Sequence, residues 1–142
     1  MVREWMFFAQ QYVEAASLLD DSAIADNVAK LQLSGHAVEC ALKAFLLTTT
    51  QSNPKTHDLL ALGKSAEDAG CHVTEIQAIA VFQLSLSYSM DIATNTRYKA
   101  RYPTRDFESK VRATPSHDSV AELVANVLTQ VENRLTNLRD DA

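Results

Sequence analysis

The chain has 142 residues, of which 46% are hydrophobic, and this is enough for the core of a single domain over 1–142. The formal net charge of −5 excludes the broad basic surface that non-specific nucleic-acid binding needs, but a local basic patch remains compatible with it. No apolar run has the length of a membrane span, no signal-peptide pattern is present and the two cysteines lack metal-ligand spacing. We therefore expect a cytoplasmic protein with reduced thiols and no membrane contact.

Apolar residues recur at helical spacing in five stretches, which predicts an all-α protein, an up-down bundle of four to five helices. The predicted helices span about 3–19, 22–47, 58–69, 74–92 and 116–138. Phe8 is expected on the buried face of the first helix. Thr56 is expected to cap the third helix, and Gly70 to end it. The fourth helix is apolar around most of its circumference, so we expect it to be central.

The second predicted helix combines a glycine with three polar residues. Gly35 costs about 1 kcal/mol relative to alanine there, so we expect another backbone or a ligand to approach it closely. His36, Glu39 and Lys43 follow at spacings of three and four, which predicts an ion pair between Glu39 and Lys43. The interpretation is that this pair holds the bundle and orients a basic loop. A metal site would need more ligands on facing helices than the sequence offers, so neither a metal nor another cofactor is expected.

A long irregular stretch is predicted from Ala93 to Ser116, and it concentrates positive charge. Six of the 13 basic residues of the chain fall between Arg97 and Arg112, interleaved with aromatic residues. Guanidinium groups bind phosphates and aromatic rings stack on bases, so the stretch is interpreted as a nucleotide- or RNA-binding surface. The residues expected to bind are Arg97, Tyr98, Arg101, Tyr102 and Arg105. The alternative is a solvated loop whose arginines pair with acids elsewhere, such as Glu39 or Asp91.

Arg112 and His117 are separated by four residues at the start of the last predicted helix. A histidine can move protons in metal-independent RNA cleavage while an arginine stabilises the phosphorane charge. Pro115 lies between the two and interrupts the helix that would fix them relative to each other. The alternative is a polar His117 in the first helical turn with Arg112 at the surface, so the sequence leaves catalysis open.

Three blocks of the sequence, in this order, carry a family resemblance. They are Ala9-x-x-Tyr12-x-x-Ala15-Ala16-x-x-Leu19, then Ser34 to Leu46 followed by Thr56-His57-Asp58-Leu59, and then Arg101-Tyr102-Pro103. Together they resemble the HEPN domain family. The last block resembles the branch of small HEPN proteins related to the C-terminal domain of kanamycin nucleotidyltransferase.

The resemblance implies a helical bundle, usually a homodimer, that binds nucleotide or RNA in a cleft between protomers. It implies supporting roles for Gly35, His36, Glu39, Lys43 and His57. Many relatives are encoded beside a small nucleotidyltransferase and form a toxin–antitoxin pair with it. Active ribonuclease members carry Arg-x4-6-His, which Arg112 and His117 match. The catalytic motifs of a nucleotidyltransferase are absent, so the chain is not expected to transfer nucleotides by itself. A third hypothesis is a non-catalytic protein–protein interaction module.

Overall fold

The computed structural model describes residues 1–19, 28–50, 54–88 and 114–140. Within these ranges the chain forms five α-helices and no strand, which confirms the predicted fold class. The helices are α1 (Val2–Leu18), α2 (Val28–Leu47), α3 (Leu59–Asp68), α4 (Glu75–Ser87) and α5 (His117–Asp140). In the part of the chain so described, no helix combines the length and the apolar character that a membrane span requires.

The central helix is α2, which packs against each of the other four helices. Small residues allow this close packing, since Gly35, Ala37, Ala41 and Ala44 are all buried along it. The prediction that α4 is central is wrong. One side of α4 faces the core, whereas Ile76, Ile79 and Phe82 on the other side are about half exposed or more. Apolar residues all around a helix show that any of its faces could be buried, but the neighbouring helices determine which face is buried.

α1 runs antiparallel to α2. Trp5 lies beside Lys43, and seven residues later Tyr12 stacks on His36, which precedes Lys43 by seven residues. The expectation that Phe8 is buried is wrong, because its side chain is 48% exposed. The buried residues of α1 are Met6, Ala9 and Ala16.

α1 is also antiparallel to α5. Arg3 forms an ion pair with Glu132, and the groove between the two helices extends from this pair to Glu14 and Ala121. Along this groove, residue numbers increase in α1 and decrease in α5, so the two helices run in opposite directions. Since α1 is antiparallel to both of its neighbours, α2 and α5 run parallel to each other.

The parallel register brings the first turns of α2 and α5 side by side. Towards their other ends, the guanidinium carbon of Arg134 lies 4.2 Å from the ring centre of Phe45. Lys30 precedes Phe45 by fifteen residues and His117 precedes Arg134 by seventeen, which correspond to about 22 and 26 Å of helix. Lys30 and His117 therefore lie at nearly the same level of the bundle.

Asp58 caps α3, so the prediction of Thr56 as the cap is wrong. The Asp58 carboxylate accepts hydrogen bonds from the backbone N–H groups of Leu60 and Ala61, at 3.0 and 3.3 Å. The Thr56 hydroxyl instead accepts from the backbone N–H of Asp58. Gly70 ends the helix as predicted, and its φ of +98° explains why a glycine is needed there.

Candidate functional site

The ring of Tyr88, at the end of α4, lies directly on Gly35. The side chain is only 1% exposed, and a Cβ atom at position 35 would overlap its ring. A group does approach Gly35 closely, but the prediction of a backbone or a ligand there is wrong, because the neighbour is the side chain of Tyr88. Tyr88 is absent from the predicted site residues. The signal that points to it is general, because a tyrosine in an apolar run must find a partner for its hydroxyl when it is buried.

Glu39 is buried on α2 and accepts three hydrogen bonds. Its Oε1 accepts from Nζ of Lys43 at 2.8 Å and from Nδ1 of His57 at 2.6 Å, and its Oε2 accepts from the Tyr88 hydroxyl at 2.6 Å. The predicted ion pair between Glu39 and Lys43 is confirmed. Burial raises the pKa of Glu39, but hydrogen bonds from Lys43, Tyr88 and His57, with the charge of Lys43, outweigh burial and lower the pKa below its usual value.

His36 extends this network towards α1. Its Nδ1 is 2.8 Å from the Tyr88 hydroxyl. Because that hydroxyl donates to Glu39, it accepts from His36, which assigns the proton to Nδ1. The imidazole also stacks on Tyr12, with ring centres 5.3 Å apart. We call the five residues His36, Glu39, Lys43, His57 and Tyr88 the Glu39 cluster.

Lys43 ties the Glu39 cluster to α1. It is 3% exposed, and its ammonium group lies 5.2 Å from the centre of the Trp5 ring in addition to its contact with Glu39. Removing one partner of a buried ion pair typically costs 3–5 kcal/mol, since the other charge is left without compensation. The cluster therefore fixes α1, α2, α4 and the start of α3 relative to one another.

His117 is the first residue of α5. Ser116 caps this helix with its hydroxyl, which accepts from the backbone N–H of Ser119 at 3.2 Å. Burial lowers the pKa of His117, the positive charge of Lys30 lowers it further, and Asp118 acts in the opposite direction. The imidazole is therefore largely neutral near pH 7, as a general base must be.

The residues predicted to bind phosphate lie outside the described part of the chain. They are Arg97, Tyr98, Arg101, Tyr102 and Arg105, together with Arg112 of the predicted catalytic pair. The meeting of Arg112 with His117 therefore stays a prediction. By contrast, the predicted supporting residues His36, Lys43 and His57 do come together with Glu39, through its carboxylate and the Tyr88 hydroxyl, and the Tyr88 ring covers Gly35.

The structure describes the residues on either side of the basic stretch. We call residues 89–113, which contain it, the basic segment. Tyr88 precedes the segment and packs on Gly35, while Thr114 follows it and leads into His117 at the level of Lys30. Tyr88 therefore lies against the first half of α2, and His117 lies close enough to Lys30, in the same half, for the two charges to interact. Glu39, named as an alternative partner for the arginines, is instead bound by described residues of its own cluster.

The described residues offer neither a metal centre nor a reactive thiol. Within those ranges no three His, Cys, Asp or Glu residues are placed so that they could hold a metal ion. Cys40 is buried as predicted, and burial raises the pKa of its thiol to about 12. Burial also raises the pKa of Cys71, although the charge of Arg134 opposes the shift. Neither thiol is a nucleophile at neutral pH.

Comparison with known proteins gives one finding. A family model described as HEPN domain matches residues 2–133, a range that includes the Glu39 cluster, the basic segment and His117. No curated protein and no solved structure matches the chain.

Proposed function

We propose that this chain, which belongs to the HEPN domain family, binds the phosphates of a nucleotide or an RNA strand through its basic segment. The observation that carries the proposal is the attachment of that segment. Tyr88, the residue before it, is buried and hydrogen-bonded to both Glu39 and His36. A concentration of arginine and tyrosine next to so rigid an attachment suits a ligand that needs both charge and ring stacking.

Titration of the protein with ATP, GTP and a short single-stranded RNA, at low and moderate salt, tests this proposal. Wild-type protein should bind at least one of them, and replacing Arg97, Arg101 and Arg105 together by alanine should weaken binding about tenfold or more. Lys64→Ala on the exposed face of α3 is the matched control and should leave binding unchanged. Absence of binding to all three ligands at both salt concentrations contradicts the proposal.

A second candidate function is metal-independent RNA cleavage by Arg112 and His117. The observation that favours it is the lowered pKa of His117, which leaves a neutral imidazole able to take a proton from a 2′-hydroxyl. In this mechanism Arg112 stabilises the charge of the phosphorane. Wild-type protein should degrade RNA in the presence of a chelator, and His117→Ala should abolish the activity. Equal cleavage by the mutant rules this function out.

A third candidate is a non-catalytic interaction module, and the exposed apolar residues of α4 favour it. Ile76, Ile79 and Phe82 lie on one helix face and leave apolar surface in water, as protein-contact sites do. The resemblance supplies two partners, a second copy of the chain in a homodimer and a cytoplasmic nucleotidyltransferase of a toxin–antitoxin pair. Co-expression with such a nucleotidyltransferase, with and without Phe82→Ser, tests the heteromeric contact. From the resemblance we also propose that the chain belongs to the branch of small HEPN proteins related to the C-terminal domain of kanamycin nucleotidyltransferase.

A further inference from the structure

Three aromatic side chains lie along one side of α1, next to α2. Trp5, Phe8 and Tyr12 follow one another at spacings of three and four residues, which places them on the same face of the helix. Trp5 is partly buried beside Lys43, and Tyr12 is partly buried against His36. Phe8 lies between these two contacts in the chain, yet it is 48% exposed.

The ring of Phe8 is the outer end of a row of rings. The ring centres of Phe8 and Tyr12 are 6.4 Å apart, those of Tyr12 and His36 are 5.3 Å apart, and the ring planes of both pairs are inclined by only 29°. The next ring is that of Tyr88, which meets His36 edge-on at 5.2 Å. The row therefore extends from the residue that precedes the basic segment to a ring in contact with water.

The exposed surface at this row is aromatic, in contrast to the exposed face of α4. On α1 the neighbour of Phe8 in the chain, Phe7, is also exposed, and the two ring centres are 6.1 Å apart. On α4 the exposed residues are two isoleucines, Ile76 and Ile79, with only one ring, that of Phe82. Branched aliphatic side chains suit a protein contact, whereas a flat ring offers the face that a nucleobase needs for stacking.

We infer that Phe8 stacks on one base of the nucleotide or RNA strand. Tyr12 and His36 are positioning residues in this arrangement, because their rings support that of Phe8 from the protein side. Stacking on a ring accepts any base, since every base has a π-face. The inference rests on the proposed function, in which the basic segment binds the phosphates, and it adds a base-binding residue on a different helix.

Two oligonucleotides of equal length and charge test the inference. One is oligoadenylate, and the other has the same sugar–phosphate backbone but no bases. Phe8→Leu, which keeps an apolar side chain but removes the ring, should bind oligoadenylate about fivefold more weakly or worse and should bind the base-free strand as the wild type does. Phe8→Tyr keeps a ring and should retain the wild-type affinity. Phe82→Leu is the matched control, because Phe82 is 50% exposed on another helix.

Adenosine, which has a base but no phosphate, tests the stacking without the basic segment. It is titrated into the full wild-type chain while NMR records the ring signals of Phe8, Tyr12 and His36. The signals of Phe8 should move and saturate, because the ring current of a stacked base changes the field at the protons of the ring below it. The signals of Phe82 should stay in place.

The outcomes separate this inference from the proposed function. If Phe8→Leu binds oligoadenylate as tightly as the wild type, or loses both strands to the same extent, the inference is wrong although the phosphates can still bind. If adenosine moves the Phe8 signals but no nucleotide or strand binds, the stacking stands and the proposed function fails.

Two controls keep the result decisive. Sedimentation of the wild type and of Phe8→Leu compares their oligomeric states, and dissociation of an oligomer in the variant assigns Phe8 to a contact between copies of the chain and overturns the inference. Circular dichroism verifies that Phe8→Leu is folded. If it is unfolded, the adenosine titration of the wild type decides, and unchanged Phe8 signals overturn the inference.

Discussion

At the scale of single residues, Gly35 shows how one missing methyl group determines the arrangement around it. The absence of a Cβ atom lets the ring of Tyr88 lie against α2, and this contact brings the hydroxyl within reach of Glu39 and His36. A larger residue would displace the ring from a site where it is 1% exposed. The packing of one glycine and the hydrogen bonds of the Glu39 cluster therefore depend on each other.

Gly35→Ala should destabilise the protein by about 1–3 kcal/mol, because the new methyl group overpacks a ring that has no room to move. The loss occurs although alanine is the better helix former by about 1 kcal/mol. Gly63→Ala in α3 is the matched control, since its Cβ would meet only a methyl group of Val81 at 3.2 Å. Urea unfolding of both variants measures the difference, and equal stability of the two would contradict the assignment of the close contact.

The stability of the fold should depend on the charge of Glu39 in acid. The pKa of this carboxyl is lower in the folded protein than its ordinary value of 4.5, so the unfolded chain takes up the proton first as the pH falls. The contribution is complete above about pH 4.5 and is lost as the pH falls towards the lower pKa of the folded state. Glu39→Gln should flatten the curve of unfolding free energy against pH in this range. Glu67→Gln, at an exposed position of α3, should leave its slope unchanged.

At the scale of helices, the end of α4 is attached to α2 by the Tyr88 hydroxyl. Tyr88→Phe should cost about 1–3 kcal/mol, because Glu39 and His36 both lose a partner in a buried place. Tyr12→Phe is the matched control, since it keeps the ring that stacks on His36 and removes a hydroxyl without a hydrogen bond to the described residues. Thermal unfolding compares the two variants. If Tyr88→Phe is no less stable than Tyr12→Phe, the hydroxyl does not hold α4.

Tyr88→Phe should also weaken ligand binding if the basic segment binds the phosphates, because this variant loosens the residue that precedes the segment. Tyr88→Phe should then reduce the affinity for the RNA or nucleotide that the wild type binds, whereas Tyr12→Phe should not. The comparison is made at a temperature where both variants are folded, so that a change in affinity reflects the attachment of the segment. Equal affinities would show that the segment needs no fixed attachment at Tyr88.

Helix limits could be predicted from the sequence better than the faces that the helices bury. The end of α2 at Leu47 and of α3 before Gly70 follow from local signals. The burial of Phe8 and the central place of α4 do not, because they depend on which helices lie beside them. The cap of α3 also depends on residues close in sequence, but Thr56 and Asp58 are both of types that cap helices. Only the backbone geometry shows that Asp58 is the cap.

At the scale of the whole molecule, charge is separated along the chain. The basic segment carries six basic and three acidic residues, so the remainder of the chain has a net charge of −8. Nucleic acid should therefore meet attraction at the basic segment and repulsion over much of the remaining surface.

The salt dependence of RNA binding should reflect this separation. Each phosphate contact to a single strand contributes about 0.7 to the slope of log K against log salt concentration, so the six basic residues of the basic segment limit its magnitude to about 4. Replacing Arg97 and Arg101 by alanine should lower the slope by about 1.4. Fluorescence anisotropy at four salt concentrations measures it, with Lys64→Ala as the control. A much steeper slope would indicate basic surface elsewhere.

The candidate site could be predicted only in part. Gly35, His36, Glu39 and Lys43 follow from spacing on one helix, and His57 from the family resemblance. Tyr88 could not be predicted, because its hydroxyl partners are 49 and 52 residues away in sequence.

The anchoring of Tyr88 on α2 has a consequence for which positions of the chain can change. The ring contact with Gly35 and the hydrogen bonds to Glu39 and His36 involve no residue between 89 and 113. We therefore expect exchange of basic residues in the basic segment to alter ligand binding while the helices keep their stability, whereas a change of Tyr88 or Gly35 should lower the stability itself.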